Sequence, residues 1–421
     1  MVNGRKTHSR HEDKVRTRTL ILLGLFAFLS ANAGASERVT VDQLEQRLAT
    51  LMTTHRASPG SADDITAETN LIAEMNEDVG KLGLDTDRAA EIDSLELTER
   101  LTARTLARWT AKYKPGPLVR HALQLIADRS ALLDPPAGEL PSQPPPDADS
   151  QRKMIDAANI YVVRVLSHLP NFFAIRTTER FDDGPVISNG VIVPSPPGLH
   201  LVSSVSHEIT FRDGSEVIDP MRHDRVMPGI PVEGLSSSGE FGPEAAIALT
   251  DMGKGSYAFH HWEQTSVGLA AVYRFSVPRE ASHYQVEYNC QSFLTLNDTP
   301  SYHGSLTIDP SSGAVLRLTL EADSKKNDPV SHVASVIDYG PVAIGDRRYI
   351  SPLRSLAFMV QDMNACVRHA PKQKLIQPVT MLNRTTFADY HRLGTSVKIV
   401  SEPTGPANPN PPIPSAPAPN P

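Results

Sequence analysis

Cysteine is nearly missing from this chain of 421 residues, which holds only Cys290 and Cys366. Two cysteines exclude a disulfide-dense scaffold and every multi-cysteine zinc module, and their spacing makes no redox pair. They form either one long-range disulfide closing a loop of roughly 75 residues, worth about 3–4 kcal/mol on the chain-entropy model, or two buried thiols that never meet. Beyond residue 35 no apolar stretch approaches the roughly 20 residues that a bilayer-spanning helix needs. The mature chain is therefore expected without a transmembrane span. Positive charge is scarce as well. Residues 1–35 contain six of the 41 Lys/Arg and two of the 48 Asp/Glu, which leaves 35 positive against 46 negative charges, a net of −11. A chain this acidic, with no basic run after its first residues, lacks the electrostatic footprint that phosphate backbones demand, so no nucleic-acid partner is expected. No Gly-x-Gly-x-x-Gly run is present to cradle a nucleotide phosphate, and no cofactor is expected.

What is present begins with an address. Lys14, Arg16 and Arg18 lead into the apolar run Leu20 to Leu29, followed by small residues at Ala31, Ala33 and Ala35. That order reads as a secretory signal over residues 1–35, cleaved after Ala33 or Ala35, with an uncleaved anchor as the alternative. The protein is expected to be exported, periplasmic or extracellular. No cysteine follows the run to carry a lipid, and no Arg-Arg pair marks the twin-arginine route.

Two proline-rich segments divide the rest. Residues 134–148 read as an extended linker and residues 402–421 as a tail that can bury almost nothing. Between signal and linker, residues 36–133 show helical periodicity. Thr40 and Gln43 have capping-box spacing before Val41, Leu44, Leu48 and Leu51. A second helix is expected through Ile65, Leu71, Ile72 and Met75, and a third from about Asp85 through Ile92, Leu95, Leu101, Leu106 and Trp109. A fourth follows Pro115-Gly-Pro117. After the linker, residues 149–401 start with one helix, Asp149 to about His168, and then change to a period of two. Leu316, Leu318 and Leu320 against Arg317, Thr319 and Glu321 is the cleanest alternation, which means strands with one face on a core and one in water. Asp213-Gly214, Asp309 to Gly313 and Gly345-Asp346 read as hairpin turns, and Gly242 to Met252 as a short inserted helix. The fold class expected is α+β: an N-terminal helical bundle or arm, then a curved antiparallel half-barrel with one covering helix and one inserted helix.

One helix followed by a long antiparallel meander resembles the outer-membrane lipoprotein carriers, a resemblance that implies a curved sheet holding acyl chains beneath a helical lid. A second resemblance rests on Leu169-Pro-Asn-Phe172, Arg180-Phe181, Gly239-Glu-Phe-Gly242, Trp262-Glu263, Tyr302-His-Gly304, Ile308-Asp-Pro310 with Gly313, Leu316-Arg317, Asp338-Tyr-Gly340 and Phe387-Ala-Asp-Tyr390. These look like a group of exported bacterial proteins of acidobacterial type, and the group brings no activity with it.

Few residues suggest chemistry. His207-Glu208 lacks the second histidine of a zinc-protease helix and sits in a strand pattern. His260-His261 with Glu263 is the best metal-like cluster, but strand neighbours point to opposite faces, so only His261 and Glu263 are expected to be able to share an ion. No metal site is assigned from it. Ser236 to Ser238 before Gly239 miss the Gly-x-Ser-x-Gly spacing, and Ser150 with Lys153 match Ser-x-x-Lys without its companion motifs. Asn297 and Asn383 head glycosylation-type triplets. No catalytic residue is assigned, and whether the protein is an enzyme stays open. The expected function is that of a non-enzymatic envelope protein binding a lipid, a lipoprotein or another apolar ligand against Tyr273, Phe275, Leu316, Leu318 and Leu320. The alternatives are a protein-interaction or sensor module with an envelope partner, and a hydrolase using a loop Ser or His.

Overall fold

A computed structural model describes residues 36–53, 82–184, 186–188, 191–193, 198–217, 235, 237–290, 294–325, 328–362 and 378–394. The signal expected at 1–35, the helix expected through Ile65 to Met75, Ser236, Cys366 and the tail expected at 402–421 lie outside these residues, as does the side chain of Cys290.

The helical region opens with strand β1 (Glu37–Val39), which pairs in parallel with β2 (Leu95–Leu97). Helix α1 (Val41–Thr53) starts at a reciprocal capping box: Gln43 N donates to Thr40 Oγ1 at 3.2 Å, and Thr40 N donates to Gln43 Oε1 at 2.9 Å. Two of the four orphan amides of the first turn are thus satisfied from within the sequence. Helix α2 occupies residues 82–93, α3 runs Ala103–Tyr113 and α4 runs Pro117–Arg129. The one long helix expected from Asp85 to Trp109 is therefore two. Leu95 and Leu97, two apart, bury on one side against β1, and Thr102 restarts the helix by accepting Thr105 N at 3.2 Å. Val39, Leu44, Leu48, Ile92, Trp109 and Leu123 form the core of this region.

The fold is α+β, and its main part is a ten-stranded antiparallel sheet, curved but not closed. Its strands are β3 (Phe172–Asp182), β6 (His200–Arg212), β7 (Ser215–Val217), β8 (Ser256–Thr265), β9 (Gly268–Val277), β12 (Tyr302–Ile308), β13 (Val315–Ala322), β14 (Val330–Ile344), β15 (Arg347–Gln361) and β16 (Val379–Arg392). They lie in the order β7-β6-β3-β16-β15-β14-β13-β12-β9-β8. The chain builds both edges first and then fills the middle, so the last strand pairs with the first. Two small hairpins stand apart, β4 (Val186–Ser188) with β5 (Val191–Val193), and β10 (Val286–Cys290) with β11 (Leu294–Asp298).

Helices cover both faces. On the inner face, α5 (Ala148–Arg164) and α6 (Pro243–Met252) pack Ile155, Ala158, Val162, Ala245 and Leu249 onto the apolar rows of β9, β12 and β13. The turn between β12 and β13 touches α5 directly: Gly313 has φ +75°, and a Cβ there would lie 2.5 Å from the Ala157 carbonyl carbon. Only glycine tolerates both conditions. On the outer face, Ala334, Val336, Leu356, Phe358, Leu382 and Phe181 meet Leu125 of α4 and Ala131 just after it. The alternation had suggested that this side faces water, and in its centre it instead receives the helical region.

Candidate functional site

Where the helical region meets the outer face, the strands present charge. The register sets Arg317 of β13 opposite Asp338 of β14, Asp338 opposite Arg354 of β15, and Arg384 of β16 opposite Glu179 of β3. Into this row α4 inserts Asp128, wholly buried, with Arg354 Nη1 and Arg384 Nε each 2.7 Å from its carboxylate. Burial pushes the Asp128 carboxyl up from its ordinary value, against the pull of the two arginines. Arg317 pairs with Asp338 and donates to Ala131 O at 2.7 Å, while Arg354 Nη2 lies 2.7 Å from Asp338. Burial alone would raise Asp338, but Arg317 and Arg354 outweigh it and hold this carboxyl well below the usual carboxylate range. Arg100, just ahead of α3, reaches Glu263 of β8 at 2.6 Å. Glu263 is likewise opposed by burial, and His261 and Arg100 bring it down to about 2.

Two clefts flank this seam and meet at Arg100 and Glu263. The larger, of about 600 Å³, is lined by Leu101, Ala103, Val267, Leu316 and Leu353, by Arg100, Arg104, Arg317 and Arg354, and by Glu139, Glu263 and Asp338. The smaller, of about 290 Å³, holds Asp134, His260, His261, Arg274, His303 and Glu321. Here the strand departs from regular alternation. Phe259 pairs with Tyr273 and His261 with the next residue back, Val272, so His260 is an inserted residue, a β-bulge. Both imidazoles are thereby gathered on one side, their ring centroids 4.7 Å apart. His260 Nε2 lies 3.3 Å from Asp134 Oδ2 and His261 Nε2 lies 3.5 Å from Glu263 Oε2. This corrects the expectation that two strand neighbours could not serve one ion. Asp134, His260 and His261 bring one ligand atom each within 4.8 Å of one another. Opposite them His303 is bonded to Glu321 at 3.0 Å and Asp323 at 2.8 Å, and the hydrogen bond it donates to Glu321 above all raises it to about 9.

A second polar cluster lies on the inner face. Arg176 of β3 binds Glu216 at 2.9 Å and the buried Glu240 at 3.2 Å, and Glu240 also accepts from Ser237 and Ser355. Glu244 of α6 accepts from Ser335 at 3.3 Å, and burial, reinforced by the charge of Glu240, pushes its carboxyl up to about 8.

Tyr273, Phe275, Leu318 and Leu320, expected to face a ligand, do share one surface with Leu316. They are between 0 and 4 % exposed beneath α5 and α6, and Tyr273 donates to Met154 Sδ at 3.4 Å, so side chains fill the space above them. Leu316, at the end of the row, reaches the larger cleft. His207 and Glu208 stand opposite Arg176 and Ile175 on β6, and Ser150 serves as a bonding partner of the α5 cap residue Asp147. Cys290 ends β10. Sequence reasoning missed Asp128, Asp134, Arg100 and Arg354. Asp128 did leave a signal, since it lies three residues from Leu125 on a face that buries, and a buried carboxylate there demands a partner. Among the described residues no helix is long and apolar enough to cross a membrane. Comparison with protein-family models, curated proteins and solved structures returns no match.

Proposed function

We propose that this is a non-enzymatic binding protein of the cell envelope that takes an amphipathic molecule, a lipid with an anionic head, into the larger cleft. The observation that carries the reading is a space of about 600 Å³ whose lining joins apolar side chains to four arginines and only three carboxylates, within the size range of small-molecule sites. Three of the four arginines are answered from within the lining: Glu263 holds Arg100, and Asp338 holds Arg317 and Arg354. Glu139 accepts from the hydroxyls of Thr102 and Thr105, each at 2.7 Å. Arg104 bonds the carbonyl of Gln264 at 3.3 Å, which leaves its charge uncompensated by that bond and suited to an anionic head group. Each methylene buried along the walls would contribute roughly 0.8 kcal/mol. The leader read from the sequence at 1–35 supports an envelope location, and the resemblance to lipoprotein carriers agrees in ligand class, with the ligand moved from the filled inner face to the outer one.

The test is mass spectrometry of solvent extracts from natively purified protein, followed by displacement of a fluorescent fatty acid. Leu353→Asp and Arg104→Glu should each weaken uptake. A protein that releases no amphiphile and takes up none would refute the reading. A second reading, docking of an envelope protein, is favoured by Leu201, Val202 and Val205 of β6, which are 47, 55 and 41 % exposed on the stretch of β6 beyond its pairing with β7 at Thr210–Arg212. Under that reading Val202→Lys would abolish capture of the partner and leave lipid uptake untouched.

A further inference from the structure

The smaller cleft has no part in that reading, and its side chains suit a different ligand. We propose that Asp134, His260 and His261 bind one divalent transition-metal ion, zinc before others, with three protein ligands and the remaining position open to the cleft. Four observations meet here. A bulge costs ladder pairing, and at His260 its effect is to set two imidazoles side by side. The three ligand atoms already lie within 4.8 Å of one another. Zinc bonds of about 2.0–2.2 Å place tetrahedral ligands roughly 3.4 Å apart, so the widest pair must close by up to about 1.4 Å. Asp134 and His260 have side chains 50 and 33 % exposed and are able to make that adjustment. Next, His261 Nε2 is buried and its polar neighbour Glu263 Oε2 lies 3.5 Å away, too far for a full hydrogen bond. A buried ring nitrogen left without a bond is costly, and a metal ion satisfies its lone pair. Finally, two imidazoles with one carboxylate match the preferences of zinc and of ions near it in the first transition row.

Arg274 is the competitor. Its Nη2 lies 2.5 Å from Asp134 Oδ2, but its side chain is 54 % exposed and free to turn outward as the ion takes the carboxylate. His303 lines the same cleft and is excluded from the set because Glu321 and Asp323 already hold it. A three-ligand site with an open position is the arrangement of zinc centres that exchange water or a ligand, whereas structural zinc is closed by four protein groups. The cleft meets the larger one at Arg100 and Glu263, so an ion held here would lie beside the approach to that space.

The experiment uses untagged full-length protein, stripped with chelator and dialysed, then titrated with zinc chloride by calorimetry and with cobalt(II) by visible absorption. One ion per chain is expected at micromolar affinity or tighter, with a d–d spectrum for cobalt. His260→Ala and Asp134→Asn should each weaken zinc about tenfold or more, while His303→Ala leaves it unchanged. His260 and Asp134 sit at exposed positions, so these variants should keep the parent's circular dichroism and melting temperature. Absence of stoichiometric zinc binding would overturn the proposal. So would binding that survives both substitutions, or that is lost with His303→Ala alone.

Discussion

Replacing Asp128 with alanine should loosen the helical region from the sheet. The carboxylate is wholly buried and answers two guanidinium groups, Arg354 and Arg384, each 2.7 Å away. Arg354 would keep Asp338 at 2.7 Å, but Arg384, 8 % exposed, would be left with Glu179 at 3.4 Å. Removing one partner of a buried ion pair costs about 3–5 kcal/mol, because the stranded charge keeps its desolvation penalty. For a protein of this size that is a fall in melting temperature of roughly 4–6 °C. Thermal denaturation followed by circular dichroism measures it, and limited proteolysis should cut more readily between α4 and α5 (residues 130–147). The cause is separable from simple loss of packing. Adding Arg384→Met to Asp128→Ala removes the stranded cation and should recover a good part of the loss, a coupling that a double-mutant cycle reads directly. An Asp128→Ala protein that melts within about a degree of the parent, or a double variant that is additive, would refute the reasoning.

Glu244, raised to about 8, binds its proton more tightly folded than unfolded. Its contribution is complete below about pH 4.5 and is lost as pH rises through 8, by up to a few kcal/mol; Glu244→Gln should flatten the fall of melting temperature between pH 5 and 9, and an unchanged profile would dismiss it. Leu318→Trp should overpack the core under α5 and α6 and cost about 1–3 kcal/mol by urea denaturation, whereas a variant as stable as the parent would point to free space above the inner face. Gly313→Ala meets both a positive φ and the backbone of Ala157 and should destabilise by about 2 kcal/mol or more, against a change within error if the turn can move.

The strands were legible because one inner face writes every second residue: the Leu316, Leu318, Leu320 row is β13, and the three turn signals fall at the β6–β7, β12–β13 and β14–β15 connections. The capping box at Thr40 is as local as its reading. What stayed hidden depends on partners far along the chain. The parallel pairing of Leu95–Leu97 with Glu37–Val39 overrides a helical pattern that is plausible by itself. Asp128 and Arg384 meet across some 250 residues, and no local rule connects them. The His260 bulge is invisible to a period-two reading, since only the register against β9 shows which residue is extra. For that reason the cluster at His260 looked poorer in sequence than it is in space.

That single extra residue also bears on how copies of the chain treat one another. Strand β8 is the outermost on its side of the sheet, and a straight outer strand offers its amides and carbonyls as a template for the same strand of another molecule. The bulge divides the ten residues of Ser256–Thr265 into two short runs with a sharpened twist between them, too short and too bent for a second copy to pair along. Removing His260 is expected to straighten the border and to favour edge-to-edge pairing of molecules there, so the residue that gathers the two imidazoles would also blunt an exposed edge.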